Sequence, residues 1–379
     1  MQPVEDTLKN LKNEAEPISV AGLFALSGLD RADLDQVRSV WGGLSDDRRQ
    51  AAMRHLVDIT EDNFEVDFSP IYRLGLNDQD PMVRTAAIEG LWEDDDAALI
   101  APLLKLLADP VESVRGAAAG ALGRFVYAGE LEDIPAGKVA PVISALKTTY
   151  ANPAETLDVR RRALEALGFL GYDEVGDLIR QGYQHIEQPM RLSAVFAMGR
   201  SADDEHWGET VVGELNSSDP EMRFEAARAC GELEYPPAVR RLAELLDDVD
   251  EDVQQAAVWS LGQIGGDKAR QLLQAVLLSN AEHLHEDAEA ALDELEFKGN
   301  NLDFTLIDFE DDDEDEWVLD EESDDDEDED TEKVAGRNKV DNLGDLPGMD
   351  EEDDDDTEDL VEWDSDADEI VFDPDDEDD

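Results

Sequence analysis

The sequence predicts an all-α protein, an α-α superhelix of about eight stacked helical pairs followed by a disordered acidic tail. Three observations carry this expectation. A short frame of residues recurs at near-constant spacing along residues 35–298, the signature of a repeat architecture in which each unit buries its apolar face only against its neighbours. The conserved places of the frame fall on one face of a helix, as a period of 3.6 demands. Charge is segregated as well: residues 308–379 hold 41 acidic and 3 basic side chains, whereas residues 1–307 hold 58 and 27.

The frame is plainest in the run from Asp80 through Pro81 and Val83 to Leu91. With Val83 as anchor, an arginine follows at +1, alanine at +4 and a large apolar residue at +8. Further copies start at Val114, Val159, Met190, Met222 and Val253, with weaker ones at Arg48 and Leu284. Anchor spacings are 35, 31, 45, 31, 32, 31 and 31 residues, room for two helices of three to four turns and two short turns. Alanine occupies +4 in all eight copies (Ala52, Ala87, Ala118, Ala163, Ala194, Ala226, Ala257, Ala288), where a side chain without bulk lets a neighbouring helix approach.

In chain order, residues 4–12 suit a short helix that Pro17 ends, and Ser19 to Leu29 suit an apolar cap over the first unit, making 1–34 a capping segment. The first pair runs through Asp33–Leu44 and Asp46–Ile59, and Phe68 to Leu76 opens the next. Asp80, Asp219 and Asp250 are placed to cap anchored helices, with Pro81 and Pro220 in the first turn, where a missing amide hydrogen costs nothing. The glycines at +9 (Gly123, Gly168, Gly199, Gly231, Gly262) suit left-handed residues near helix ends. The arginine at +1 suits either an anionic ligand or, the favoured reading, a structural ladder to the acidic cap of the next unit. The 45-residue spacing holds Tyr127–Lys138 and Thr148–Thr156, an insertion expected to form loops on one face. Residues 299–307 are expected as an extended cap or linker, and 308–379 as disordered, because few apolar residues and strong self-repulsion oppose ordering.

The run Asp219 to Leu233 resembles a HEAT repeat, of the short kind also found in phycobilin lyases, and the resemblance covers roughly residues 35–298. It implies an armadillo-type α solenoid whose anchored helices line the inner, concave surface. Positions +2 and +6 would then face that surface, and they hold Leu192, Phe196, Phe224 and Trp259 in the later copies, with Thr85, Glu89, Arg161, Glu165, Arg228 and Gln255 among the rest. These side chains are either tucked under their neighbours or form an apolar strip able to grip a partner segment.

A net charge of −69 disfavours direct binding to nucleic acid or to an anionic membrane surface, since phosphate contact needs a basic face. The expected partner is a basic protein. Apolar islands interrupt the acidic tail at Trp317, Val318 and Leu319, at Trp363, and at Ile370 and Phe372. A purely solvating segment does not require them; acidic segments with interleaved aromatics are a known recognition type. Scarce lysine (9 against 21 arginines) offers the alternative that the acidity is salt adaptation or solubilising charge. The reading reached is a non-enzymatic, cytoplasmic scaffold or adaptor, chaperone-like or mimicking nucleic acid toward its partner.

No cofactor or metal is expected. Deoxyhypusine hydroxylase, a HEAT-like enzyme, holds iron with His-Glu pairs, and His285-Glu286 occupies a matching place here. The five histidines (His55, His185, His206, His283, His285) do not supply the remaining pairs. The phycobilin-lyase side of the resemblance implies an alternative, a lyase-type subunit acting on a bilin-bearing protein, but nothing in the sequence calls for a tetrapyrrole. Cys230, the one cysteine, sits at a +8 core place as a small hydrophobe. The N-terminus lacks a basic stretch followed by an apolar core, so no signal peptide is expected.

Overall fold

The computed structural model describes residues 4–305, and all its regular elements are helices. The chain opens with α1 (Val4–Lys12) and α2 (Val20–Leu23), then α3 (Arg31–Trp41), α4 (Asp46–Asp62), α5 (Ser69–Gly75) and α6 (Pro81–Gly90). It continues through α7 (Ile100–Leu106), α8 (Glu112–Glu130), α9 (Ala136–Ala151), α10 (Leu157–Leu167), α11 (Tyr172–Tyr183) and α12 (Gln188–Arg200). The remainder comprises α13 (Asp204–Glu214), α14 (Pro220–Glu232), α15 (Val239–Leu245), α16 (Glu251–Ile264), α17 (Gly266–Leu277) and α18 (His285–Thr305).

The eight frames fall on the even-numbered helices α4 to α18, and from α6 onward each packs against the helix before it. The all-α stack is therefore as the sequence predicts. Successive anchored helices pack side by side along the whole series, whereas the odd-numbered helices touch one another more loosely. The anchored layer is the tight one, and its apolar anchors, its alanines and its +8 residues line one continuous core.

Two small-residue seams explain that packing. The +4 alanines are all fully buried. Two of them show what they face, the other helix of their own pair: a Cβ added to Gly75 would lie 2.8 Å from the Ala87 Cβ, and one added to Gly182 3.3 Å from that of Ala194. The second seam joins neighbouring pairs, and it corrects the reading of the +9 glycines. None of the five has a positive φ; among the described glycines only Gly28, Gly265 and Gly266 do. Each instead meets the small residue at +7 of the next copy. A Cβ at Gly168 would stand 2.8 Å from the Ala197 Cα, at Gly199 2.8 Å from the Ala229 Cα, and at Gly231 2.9 Å from the Ser260 Cα. Gly123 against Ala166 and Gly262 against Ala291 repeat the contact at 3.1 and 3.2 Å. These glycines are there because two helix backbones touch, not because a helix ends.

The caps stand where expected. Asp80 Oδ1 accepts from the amides of Met82 and Val83 (2.8 and 3.3 Å), Asp219 from Glu221 (3.1 Å), and Asp250 from Asp252 and Val253 (3.1 and 3.3 Å). The +1 arginines are structural, but their acidic partner is not the capping residue. Arg49 pairs with Asp78 at 2.9 Å, Arg84 with Asp109 at 2.8 Å, Arg115 with Glu155 at 2.8 Å and Arg223 with Asp248 at 2.7 Å. Asp78 and Asp248 lie two residues before their caps and also accept the cap residue's amide, at 2.9 and 3.0 Å. Arg84, Arg115 and Arg223 donate as well to carbonyls of the loop before their own helix. One guanidinium thus ties two consecutive loops together. Among the described residues Arg160 and Arg191 form no ion pair and keep the carbonyl contacts, and Gln254 donates to the Asp248 carbonyl in the same place.

The N-terminal segment is fastened by Arg48, which donates to the carbonyls of Leu11, Glu16 and Asn10 (3.0, 3.0 and 2.7 Å), so the weakest copy of the frame carries the cap. Two expectations need correction. The insertion in the long spacing extends α8 and α9 by extra turns, with short links at 131–135 and 152–156, rather than forming long loops. Helix α18 continues through residues 299–305, read from sequence as extended; neither a proline nor a turn pair follows Gly299 to stop it.

Candidate partner-binding groove

Anchored helices present positions +2, +6 and, one turn on, +10 along the same edge. This edge lines three adjoining cavities. The first, about 710 Å³, is floored by Leu192, Phe196 and Phe224 and flanked by Arg161, Glu165 and Glu225. Phe224 passes into the second, about 300 Å³, with Arg228, Gln255 and Trp259. Phe196, Arg162 and Glu165 pass into the third, about 630 Å³, with Tyr127, Phe169 and Arg200. The trough so formed runs from α8 to α18.

All four aromatic and aliphatic residues singled out on this face, Leu192, Phe196, Phe224 and Trp259, are half-buried. Arginines roof some of their rings. The Arg228 guanidinium lies 3.9 Å from the Trp259 ring centre, and that of Arg200 lies 5.2 Å from Phe196 and 5.7 Å from Phe169. Phe224 has no such roof among the described contacts, and it faces both cavities.

The charges of the trough are mostly spoken for. Arg162 pairs with Glu165 at 2.9 Å, Arg161 donates to Ser193 Oγ at 3.0 Å and pairs with Asp158 at 3.3 Å, and the Ser193 hydroxyl donates to Glu165 at 2.6 Å. Arg200 and Arg228 both turn to Glu232, at 3.2 and 3.8 Å. Glu225, on the flank, takes part in no ion pair among the described residues. Burial, reinforced by the nearby Glu165 carboxylate, pushes its carboxyl up to about 7 against the milder pull of Arg228 and Arg200. Sequence reasoning missed Glu225, Phe169 and Arg200. The signal for the last two was present: both lie at +10, the next turn of the stripe already recognised.

Because the folded protein holds the Glu225 proton more tightly than the unfolded chain, stability falls as pH rises from about 4.5 to about 7. Glu225→Gln is accordingly expected to gain roughly 1–3 kcal/mol at about pH 8 and nothing at about pH 4. Thermal melting across that range checks it; a variant that melts with the parent at both ends excludes a buried, unpaired carboxylate.

A larger groove, about 1010 Å³, runs beside α9 along Val139, Ala140, Ile143 and Lys147 toward Glu174. It belongs to the helical insertion and includes none of the residues above. Elsewhere, the Cys230 thiol is fully buried and pushed up to about 12 by burial, so it carries almost no thiolate. Among the described residues no three His, Cys, Asp or Glu side chains come together to hold a metal ion, and no helix is long and apolar enough to cross a membrane. His283 donates through Nε2 to Gln254 Oε1 at 2.7 Å and His285 to the Ser279 carbonyl at 3.3 Å, on different neighbours. The tail residues singled out above (Trp317, Val318, Leu319, Trp363, Ile370, Phe372) lie outside the described residues, as does the expected disorder of 308–379.

The family described as HEAT repeats matches this chain over residues 72–136 and 209–293. Solved structures with a similar arrangement include the complex of CpcE and CpcF of phycocyanin lyase from Nostoc sp. PCC7120 (16% identity, 78% of this chain and 95% of that one, TM-score 0.43). Human deoxyhypusine hydroxylase in complex with glycerol is similar at 22% identity over 78% of this chain and 96% of that one, with a TM-score of 0.32. The Kap95:Nup1 complex is similar at 15% identity over 80% of this chain and 47% of that one, with a TM-score of 0.42. No curated protein matches the sequence.

Proposed function

We propose that this chain, whose residues 72–136 and 209–293 match HEAT repeats, acts as a non-enzymatic cytoplasmic scaffold that captures a basic protein. The carrying observation is the trough, where Leu192, Phe196, Phe224 and Trp259 offer half-buried apolar surface along successive anchored helices and line open cavities. Cooperation with the acidic segment follows from charge. Forty-one carboxylates within 308–379 attract a cationic protein over a Debye length and speed encounter, while the tail's Trp317 and Trp363 fix contact. The solenoid then supplies the oriented apolar hold that charge alone lacks.

Immobilised full-length protein and a form ending at residue 307 are to be compared for retained proteins by mass spectrometry at low and moderate salt. Basic proteins are expected to fall by roughly tenfold when the tail is absent, since about 1.4 kcal/mol of lost attraction is a factor of ten. Changing Trp317 and Trp363 to alanine is expected to weaken retention without altering thermal melting. Equal recovery by the shortened form at low salt dismisses the tail as the capturing element.

A further inference from the structure

The trough is not a uniform apolar surface; its charges divide into those already neutralised and those left over. On α10, Arg161 and Arg162 are engaged with Asp158, Ser193 and Glu165. On α12 and α14, Arg200 and Arg228 share Glu232. Asp250, at the head of α16, spends one carboxylate oxygen on its cap. Glu221 and Glu225 of α14 and Asp252 of α16 line the same cavity and take part in no ion pair among the described residues. The surplus on this stretch of the trough is therefore negative, and it borders the rings of Phe196 and Phe224.

Resting on the scaffold reading above, we propose that the cavity floored by Leu192, Phe196 and Phe224 seats a partner segment in which a lysine or arginine is flanked by apolar residues. The cation lies against the Glu225 carboxylate, and its apolar neighbours lie on Leu192 and the two phenylalanine rings. Charge complementarity selects this occupant. An acidic segment would meet Glu221, Glu225 and Asp252 with no free cation to offset them, because each arginine in reach already has a carboxylate. A wholly apolar segment would bury the Glu225 carboxylate further and leave it unpaired. The partner's ammonium or guanidinium supplies the missing counter-charge, and its stem has the rings to lie on.

The arrangement also sets a pH dependence. The charged groups around Glu225 are Arg161, Arg162 and Glu165 from α10, Arg200 from α12, Arg228, Glu221 and Glu232 on its own helix, and Asp250 and Asp252 at the head of α16. Of these, Glu225 is the carboxyl raised to about 7, so a cationic segment must expel its proton to bind at lower pH. Affinity rises with pH through that region.

The test uses the full chain and a short fluorescein-labelled peptide that alternates lysine with leucine, followed by anisotropy at moderate salt to screen the acidic segment. Peptides with glutamate for lysine, or glycine for leucine, are the comparisons. The lysine–leucine peptide is expected to bind at least about tenfold more tightly than either and to tighten by roughly tenfold from about pH 6 to about pH 8. Glu225→Gln is expected to abolish the pH step, and Phe224→Ala to cost roughly tenfold at every pH. Melting curves of both variants verify folding, and the isosteric glutamine leaves the floor's shape intact. Binding of the peptide with the same affinity and pH slope in both variants overturns the seat while leaving capture by the tail in place. Preference for the glutamate peptide overturns it too, and no binding by the parent protein overturns the scaffold reading along with it.

Discussion

Arg223→Ala is expected to destabilise the stack by about 3–5 kcal/mol, because it leaves a nearly buried aspartate without its cation. Side-chain exposure is 12% for Arg223 and 9% for Asp248, and two nitrogens of the guanidinium reach both carboxylate oxygens at 2.7 and 2.8 Å. The same guanidinium holds the Ser217 carbonyl at 2.9 Å, so its loss unties the loops on either side of one pair. Asp248→Asn is expected to cost less, since the amide retains an oxygen for the Asp250 backbone amide. The pair also sets an acid limit. Arg223 holds the Asp248 carboxyl below its usual range, so its contribution is complete above about pH 3.9 and is lost as pH falls further, through the lowered value. Denaturant midpoints for the two variants at neutral pH, with hydrogen exchange in α14 and α16, measure this. An Arg223→Ala protein within about 1 kcal/mol of the parent would reduce the ladder to surface decoration.

Gly199→Val is expected to cost the upper part of the ~1–3 kcal/mol typical of overpacking, or more. The added Cβ would stand 2.8 Å from the Ala229 Cα and 3.0 Å from its Cβ, and a backbone cannot rotate away as a flexible side chain can. Relief requires α12 and α14 to separate, which strips contacts from the core along both helices. Valine at Gly213, a helical glycine with nothing within 4 Å of an added Cβ, is the control for helix propensity alone. If Gly199→Val melts with Gly213→Val, the helices are not in backbone contact at that point.

The repeat frame made the stack legible because each conserved place answers to a different physical demand. Anchors and +8 residues needed apolar bulk, +4 needed alanine, and Asp80, Asp219 and Asp250 had no better use than capping. The +9 glycines were misread for a reason intrinsic to sequence: a glycine near a helix end satisfies a left-handed cap and a close backbone approach equally well. Only the sign of φ and the neighbour decide, and Gly168 and Gly199 have Ala197 and Ala229 against them. The acidic rung of the ladder was misplaced by two residues because Asp78 and Asp80, or Asp248 and Asp250, are chemically alike; which caps and which pairs depends on the turn between them. In the trough, Leu192, Phe196, Phe224 and Trp259 could be found by period alone. Glu225 could not, since its lack of a partner follows from where Arg200 and Arg228 point.

The inter-pair seam begins at Gly123 and ends at Ala291. Upstream, the corresponding +9 places hold Val57 and Trp92, and Gly90 at +7 abuts the Tyr72 ring rather than a neighbouring backbone. The stack within residues 4–305 thus has two kinds of joint in series. From α8 onward the backbones are zipped by glycine and alanine and resist shear as one strut. From α4 to α8 the joints are cushioned by side chains, so an applied load is expected to bend the stack there first.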